Sequence, residues 1–128
     1  MDILATRMYR GKRLVGNMYK TNEEQLGISI TEFTDEWKDQ QDYIFVDIRE
    51  DEEIENEGSI KGAFMISMYD IPEKIDMAPD YITCFICCSD STRSEQVAKY
   101  LRNNGLNNMF YIEGGIEELF KVSPELKG

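Results

Sequence analysis

Residues 81–105 read YITCFICCSDSTRSEQVAKYLRNNG, and this stretch carries the strongest structural signal in the sequence. The apolar run Tyr81–Cys87 is continuous rather than alternating, which is typical of a strand buried on both faces. After a polar hexamer, apolar residues recur at helical spacing from Val97 to Leu101, and Gly105 follows as a helix stop. The pattern predicts a central strand, a loop and a helix in succession.

Further strands and helices alternate on both sides of this unit. Strands are predicted at 43–46, 63–67 and 109–112. Helices are predicted after the capping box Ser29-x-x-Glu32, over the acidic stretch Glu50–Glu57, after Asp70, and after Gly114-Gly115. Alternation of this kind predicts an α/β fold in which a small parallel sheet of four to five strands has helices on both faces.

The chain of 128 residues has the length of one domain. We expect a domain over residues 27–128, preceded by an N-terminal extension over residues 1–26 that forms a hairpin around Met8–Lys20 or is disordered. The extension is basic, and we interpret it as a solvated segment, with a docking arm as the alternative. Its basic side chains are Arg7, Arg10, Lys12, Arg13 and Lys20.

Charge and composition exclude several classes of function. The net charge is −11, and residues 21–128 alone carry 24 acidic and 9 basic side chains, a balance of −15 that opposes nucleic-acid phosphates. The sequence has no apolar run long enough to span a bilayer and no signal-peptide pattern at its start, so we expect a cytoplasmic protein without a membrane partner. Histidine is absent, which excludes Cys-His and Ser-His catalysis. We expect no metal and no cofactor.

The loop after the central strand holds the candidate nucleophile, Cys88. Ligands of open parallel sheets bind beyond the carboxyl ends of the strands, where this loop lies. We expect Thr92-x-x-Glu95 to form a capping box that begins the next helix and points its first N–H groups at the loop. A helix N-terminus and a cation such as Arg93 favour the thiolate form of a cysteine. The sequence therefore predicts a nucleophilic thiolate beside an anion cradle.

At these residues the sequence resembles the rhodanese family. Val46–Glu50 (VDIRE) and Gly58–Ala63 (GSIKGA) are similar to the family's opening signature, D-V-R-E…G-H-I-P-G-A. Cys88–Ser94 (CSDSTRS) resembles the active loop C-R-x-G-x-R-S, and Glu113–Ile116 (EGGI) resembles the terminal signature. The resemblance covers about residues 27–122, with the three motifs in order at the expected separations.

The resemblance implies a single-domain sulfurtransferase in which Cys88 takes sulfane sulfur as a persulfide. The donor is expected to be thiosulfate, another small sulfur-containing anion or a protein persulfide, and the acceptor cyanide, a thiol or a protein. The residues expected to bind the donor and stabilise the persulfide are Ser89, Asp90, Ser91, Thr92 and Arg93.

The sequence departs from the family pattern at four positions. Ser91 replaces the loop glycine, so left-handed backbone there is expected to cost about 1 kcal/mol or more. Asp90 adds a negative charge that should weaken anionic donors. Both changes put thiosulfate in doubt as the donor. Ser59 occupies a position where histidine is common in the family, and Phe120 one where the family often has tryptophan. We interpret both changes as packing differences.

Alternatives remain at the cysteines. Cys84 is interpreted as a core residue, and Cys87 as a core residue facing away from Cys88. Counting from Cys87 gives Cys-x5-Arg, the loop of phosphatases and arsenate reductases, so that reaction stays open. A non-catalytic interaction module is the other alternative. Asp47 and Arg49 are expected to tie the strand end to neighbouring loops rather than to act as catalysts.

Overall fold

The computed structural model of the protein describes residues 25–128. The prediction of a hairpin or disorder around Met8–Lys20 lies outside the described residues. Gln25 and Leu26, placed in the extension by the sequence, are described, and the Leu26 carbonyl accepts a hydrogen bond of 3.1 Å from the Tyr111 amide. In the described part of the chain, no helix is long and apolar enough to cross a membrane.

A parallel sheet of five strands forms the centre of the fold, with the order β1-β5-β4-β2-β3. Its strands are β1 (Gly27–Ile28), β2 (Tyr43–Asp47), β3 (Phe64–Met65), β4 (Thr83–Cys87) and β5 (Met109–Ile112). All five residues of β4 are buried, as its continuous apolar sequence predicts for the central strand of a covered sheet. The predicted α/β class and strand number are confirmed.

Helices cover both faces of the sheet. They are α1 (Ile30–Glu32, continued by a π-helical turn over Phe33–Trp37), α2 (Asp51–Glu57), α3 (Ile71–Lys74), α4 (Thr92–Asn103) and α5 (Gly115–Val122). Short 3-10 turns occupy Met68–Asp70, Ile75–Met77 and Pro124–Leu126. The predicted cap of α1 is present, since the Ser29 hydroxyl accepts a 3.0 Å hydrogen bond from the Glu32 amide. Gly58 ends α2 with φ 97°, also as predicted.

The alternation of side chains along β4 divides the core into two clusters. Phe85 and Cys87 point into an aromatic cluster beneath α1 and α5, where Trp37 packs edge-on against Phe85 with ring centroids 5.1 Å apart. Cys84, Ile86 and Cys88 belong to the cluster beneath α4. The two faces of the sheet thus receive alternate residues of one strand, which is why three nearby cysteines occupy different surroundings.

One local prediction was inaccurate, and one strand was not predicted. The strand predicted at 63–67 is reduced to Phe64–Met65, an exposed pair at the edge of the sheet. Strand β1 was not predicted because it has only two residues, and its pairing with β5 rather than its own sequence makes it a strand.

Candidate active site

The candidate site lies at the carboxyl end of the central strand. Strand β4 ends at Cys87, and residues 88–91 connect it to α4, which begins at Thr92. The Cys88 carbonyl accepts a 2.9 Å hydrogen bond from the Ile116 amide at the start of α5. The loop is therefore fixed from two sides, by the strand it leaves and by the first turn of a second helix.

The sulfur of Cys88 is held by Ser94. Its Sγ accepts a hydrogen bond from the Ser94 amide, with N and S 3.3 Å apart, and lies 3.4 Å from the Ser94 hydroxyl oxygen. That hydroxyl also donates to the Ser91 carbonyl at 3.1 Å. Cys88 and Ser94 are both fully buried. An amide from the first turn of a helix, directed at a sulfur, stabilises negative charge on that sulfur.

The backbone of Ser91 has the left-handed conformation, with φ 76° and ψ −7°. Ser91 is the N-cap of α4, and within the described residues it is the one non-glycine residue with positive φ. Ser91 therefore has the left-handed backbone for which the sequence predicts a cost at the position of the family's glycine. Ser91 closes the loop tightly enough for the Ser94 amide to reach back to Cys88.

The capping box predicted at Thr92-x-x-Glu95 is wrong. Thr92 lies inside the helix as its first residue, and the Ser91 hydroxyl makes no capping hydrogen bond. The cap comes from Asp90, whose Oδ1 accepts from the Thr92 amide at 3.1 Å. A carboxylate two residues upstream can form this local turn because its short side chain reaches the backbone directly.

Arg93 is paired with Glu53 instead of pointing freely at the loop. Its two terminal nitrogens lie 3.0 and 2.8 Å from the two carboxylate oxygens of Glu53, a bidentate pair that joins α4 to α2. Hydrogen bonding to Arg93 is the main cause that lowers the pKa of Glu53. The side chains of the two residues are 28% and 32% exposed, so the pair is accessible to solvent.

A buried ion pair holds the end of the neighbouring strand. Arg49 donates to both oxygens of Asp47, at 3.0 and 2.8 Å, and to the Gly58 carbonyl at 2.7 Å. Its third nitrogen reaches Glu57, whose carboxylate also accepts a 2.9 Å hydrogen bond from the Ser89 hydroxyl. The prediction that Asp47 and Arg49 tie the strand end to nearby loops is confirmed, and Ser89 links the Cys88 loop to this network.

Gly115 allows the close packing of the loop on α5, a role that was not predicted from the sequence. A Cβ at this position would lie 2.7 Å from the Ser89 carbonyl carbon and 2.8 Å from the Asp90 Cα, and the glycine has φ 78°. The side-chain-free backbone is therefore required both for contact and for conformation. The Gly114-Gly115 pair is visible in the sequence, but its contact with Ser89 and Asp90 could not be predicted because these residues lie far away in the chain.

The other two cysteines do not face the loop residues. Burial raises the pKa of Cys84 to about 12. Burial, with Asp47 and Cys88 as smaller causes, raises the pKa of Cys87 well above its usual value. The Cys87 sulfur lies 3.7 Å from the Phe85 carbonyl oxygen, in the aromatic cluster on the opposite face from Cys88. This geometry does not support the phosphatase alternative, which needs the Cys87 sulfur inside the loop.

Among residues 25–128, no three acidic, cysteine or histidine side chains converge as a metal site would require. The polar groups around Cys88 are instead paired with each other. The fold and the site define a class of α/β protein in which a cysteine directly after the central strand opens a short loop, and the N-terminus of the next helix is directed at its sulfur.

Comparison with known proteins places the chain within that class. The family model of the rhodanese-like domain matches residues 31–121. The putative sulfurtransferase YtwF of Bacillus subtilis is 45% identical over 74 residues, which cover 56% of this chain and 67% of that protein. The crystal structure of SSP1007 from Staphylococcus saprophyticus has a TM-score of 0.65 and 36% identity, covering 73% of this chain and 92% of the other. The chain belongs to the rhodanese-like domain family.

A longer relative contains the same unit. The tRNA uridine(34) hydroxylase of Yersinia enterocolitica is 30% identical over 93 residues, which are 68% of this chain but 26% of that protein. The chain therefore spans about a quarter of the length of that relative.

Proposed function

We propose that the protein is a sulfurtransferase that carries sulfane sulfur as a persulfide on Cys88. The observation that carries this proposal is the hydrogen bond from the Ser94 amide to the Cys88 sulfur at the N-terminus of α4. Cys84 and Cys87, whose pKa values are raised by burial, stay protonated at neutral pH and are poor nucleophiles. The similarity to YtwF, whose name gives it as a putative sulfurtransferase, supports the same reaction.

The proposed reaction has two balanced steps. The Cys88 thiolate attacks the outer sulfur of a donor R–S–SH, a sulfur–sulfur bond forms to Cys88, and RS⁻ leaves with the electron pair of the broken bond. A thiolate acceptor then attacks the outer sulfur of the Cys88 persulfide, and the Cys88 thiolate is released. With thiosulfate as the donor, sulfite leaves in the first step.

Burial sets a condition on this reaction. Cys88 has no exposed surface, so the residues around it must separate before a donor reaches the sulfur. On one side of the site, Ser89 and Asp90 are each attached by one side-chain hydrogen bond, in addition to the contact with Gly115. The Ser91 carbonyl accepts from the Ser94 hydroxyl and the Glu95 amide. We propose that this segment moves during sulfur transfer.

The experiment that tests the function measures transfer of sulfane sulfur to cyanide, detected as thiocyanate. The purified protein is assayed beside Cys88→Ser, with Cys87→Ser as the matched control. We expect the first variant to lose transfer and the control to retain it. Equal rates in the two variants, or loss in the control alone, would contradict the assignment of Cys88.

The second candidate is a non-catalytic interaction module, and the complete burial of Cys88 is the observation that favours it. The rate of alkylation by iodoacetamide separates the two functions. A sulfurtransferase should show Cys88 reacting much faster than Cys84 in the folded protein. An interaction module should show both cysteines reacting equally slowly until the protein is unfolded.

Location and nucleic-acid binding are also proposals. We propose a cytoplasmic protein, which the three unpaired thiols support because reducing compartments keep cysteines free. We propose that the protein does not bind nucleic acid, since the balance of −15 over residues 21–128 opposes phosphate backbones. A protein acceptor of the sulfur fits this charge if its surface is basic.

A further inference from the structure

The cation expected to hold an anionic donor is already paired. Arg93 directs both terminal nitrogens to the carboxylate of Glu53, at 3.0 and 2.8 Å. This pairing satisfies the planar fork that would otherwise bind the oxygens of thiosulfate. A small dianion would therefore have to displace a carboxylate that already fits the guanidinium.

The helix N-terminus is also partly occupied by the chain's own negative charge. Asp90, which is exposed and lies two residues from Cys88, accepts the Thr92 amide at 3.1 Å. This amide is one of the donors that a helix offers to a bound anion. Asp90 thus removes a binding group for anions and places a negative charge beside the route to the sulfur.

A groove of about 370 Å³ adjoins the Cys88 loop at Ser89. Its wall includes the carboxylates of Glu57 and Glu117 and one cation, Lys127, which lies 5.7 Å from the centre of the Phe120 ring. Because Glu57 is paired with Arg49, the uncompensated charges beside the loop are the carboxylates of Glu117 and Asp90 against the ammonium group of Lys127. A donor approaching from this side meets a negative potential.

We propose, resting on the sulfurtransferase function, that Cys88 takes its sulfur from a persulfide on a positively charged carrier and that Asp90 sets this preference. The carrier has the form R–S–SH with an ammonium or guanidinium group near the thiol. Attack by the Cys88 thiolate on the outer sulfur releases RS⁻, and its cationic group keeps the leaving carrier close to Asp90. Thiosulfate, a dianion with no such group, is a poor donor in this site.

A matched pair of small donors tests the role of charge. Cysteamine persulfide and 3-mercaptopropionate persulfide have similar size and opposite charge, and a lysine-rich peptide with one persulfidated cysteine represents a protein carrier. At low salt we expect both cationic donors to load Cys88 roughly thirtyfold faster than the anionic donor. Two unit charges about 4 Å apart in water attract or repel by about the same energy, and the difference between the two cases corresponds to about this factor. Salt should reduce the difference. Faster loading from the peptide than from cysteamine would support a protein-borne carrier, and the reverse a small thiol.

The substitution Asp90→Asn tests whether the charge of Asp90 sets the donor preference, and Asp39→Asn is its control. Asp39 is exposed and precedes the amino end of β2, whereas Cys88 follows the carboxyl end of the parallel neighbour β4, so removing its charge changes the net charge equally without changing the site. We expect Asp90→Asn to narrow the ratio between cationic and anionic donors and to raise loading from thiosulfate, while Asp39→Asn leaves both unchanged. Equal loading by the two small donors, or the same ratio in both variants, would overturn the inference. Failure of every donor to load Cys88 would instead reject the sulfurtransferase function.

Discussion

Replacing Ser91 by glycine should make the protein more stable. Ser91 has φ 76°, a left-handed conformation that costs a residue with a Cβ roughly 1–2 kcal/mol and costs glycine little. The more flexible unfolded chain offsets about 0.5–1 kcal/mol of this gain. The hydroxyl makes no capping hydrogen bond, and the Ser91 carbonyl, which accepts from Ser94 and Glu95, is retained in glycine.

The expected net gain in the free energy of unfolding is about 0.5–1 kcal/mol, or roughly 2–5 °C in melting temperature for a domain of this size. Urea denaturation followed by circular dichroism measures the gain directly. Ser91→Ala is the control, because alanine also removes the hydroxyl but keeps the Cβ and therefore the strain. Its stability should remain within about 0.5 kcal/mol of the parent protein.

Two results would refute the reasoning about Ser91. If glycine and alanine changed stability equally, the hydroxyl and not the backbone conformation would determine the effect. If glycine lowered stability, the left-handed conformation would not be a source of strain.

Three further predictions concern the supports of the site. Arg49→Met should lower the free energy of unfolding by about 3–5 kcal/mol, because it leaves the buried Asp47 charge unpaired. Adding Asp47→Asn to this variant should recover part of the loss. A double-mutant cycle measured by urea denaturation checks both expectations. Gly115→Ala should lower sulfur transfer and stability more than Gly105→Ala. Both glycines have positive φ, but a Cβ at Gly105 would meet no atom within 4 Å, whereas a Cβ at Gly115 would clash with the loop. Equal effects of the two substitutions would refute the packing argument. Because burial raises the folded pKa of Cys84 to about 12, Cys84 should contribute a fall in the free energy of unfolding of about 1.4 kcal/mol per pH unit as the pH rises from about 9 to 12. Cys84→Val should remove this contribution in a pH series of melts and leave that of Cys87.

The local parts of the fold could be predicted from the sequence because each depends on its own residues. The continuous run Tyr81–Cys87 contains the central strand, and Gly105, with φ 91°, follows the end of α4 as predicted. Strand Met109–Ile112 has its predicted bounds. Each of these signals is a run of apolar residues or a glycine at a helix end, which needs no distant partner for its effect.

The contacts that shape the site depend on residues far apart in the chain. Arg93 meets Glu53 across 40 positions, and Gly115 meets Ser89 from a different helix. The capping prediction at Thr92 failed for a local reason. Thr92 and Asp90 are both good capping residues, and the left-handed backbone at Ser91 determines which side chain reaches a free amide. Spacing alone does not contain this information.

The most direct test of the account maps where sulfur is held. The protein is treated with a persulfide donor, remaining thiols are blocked, and the peptides are analysed by mass spectrometry. We predict the mass of one additional sulfur atom on Cys88 and none on Cys84 or Cys87 in the folded protein. Additional sulfur on Cys87, or equal labelling of the three cysteines, would contradict the claim that the Ser94 amide selects Cys88 as the nucleophile.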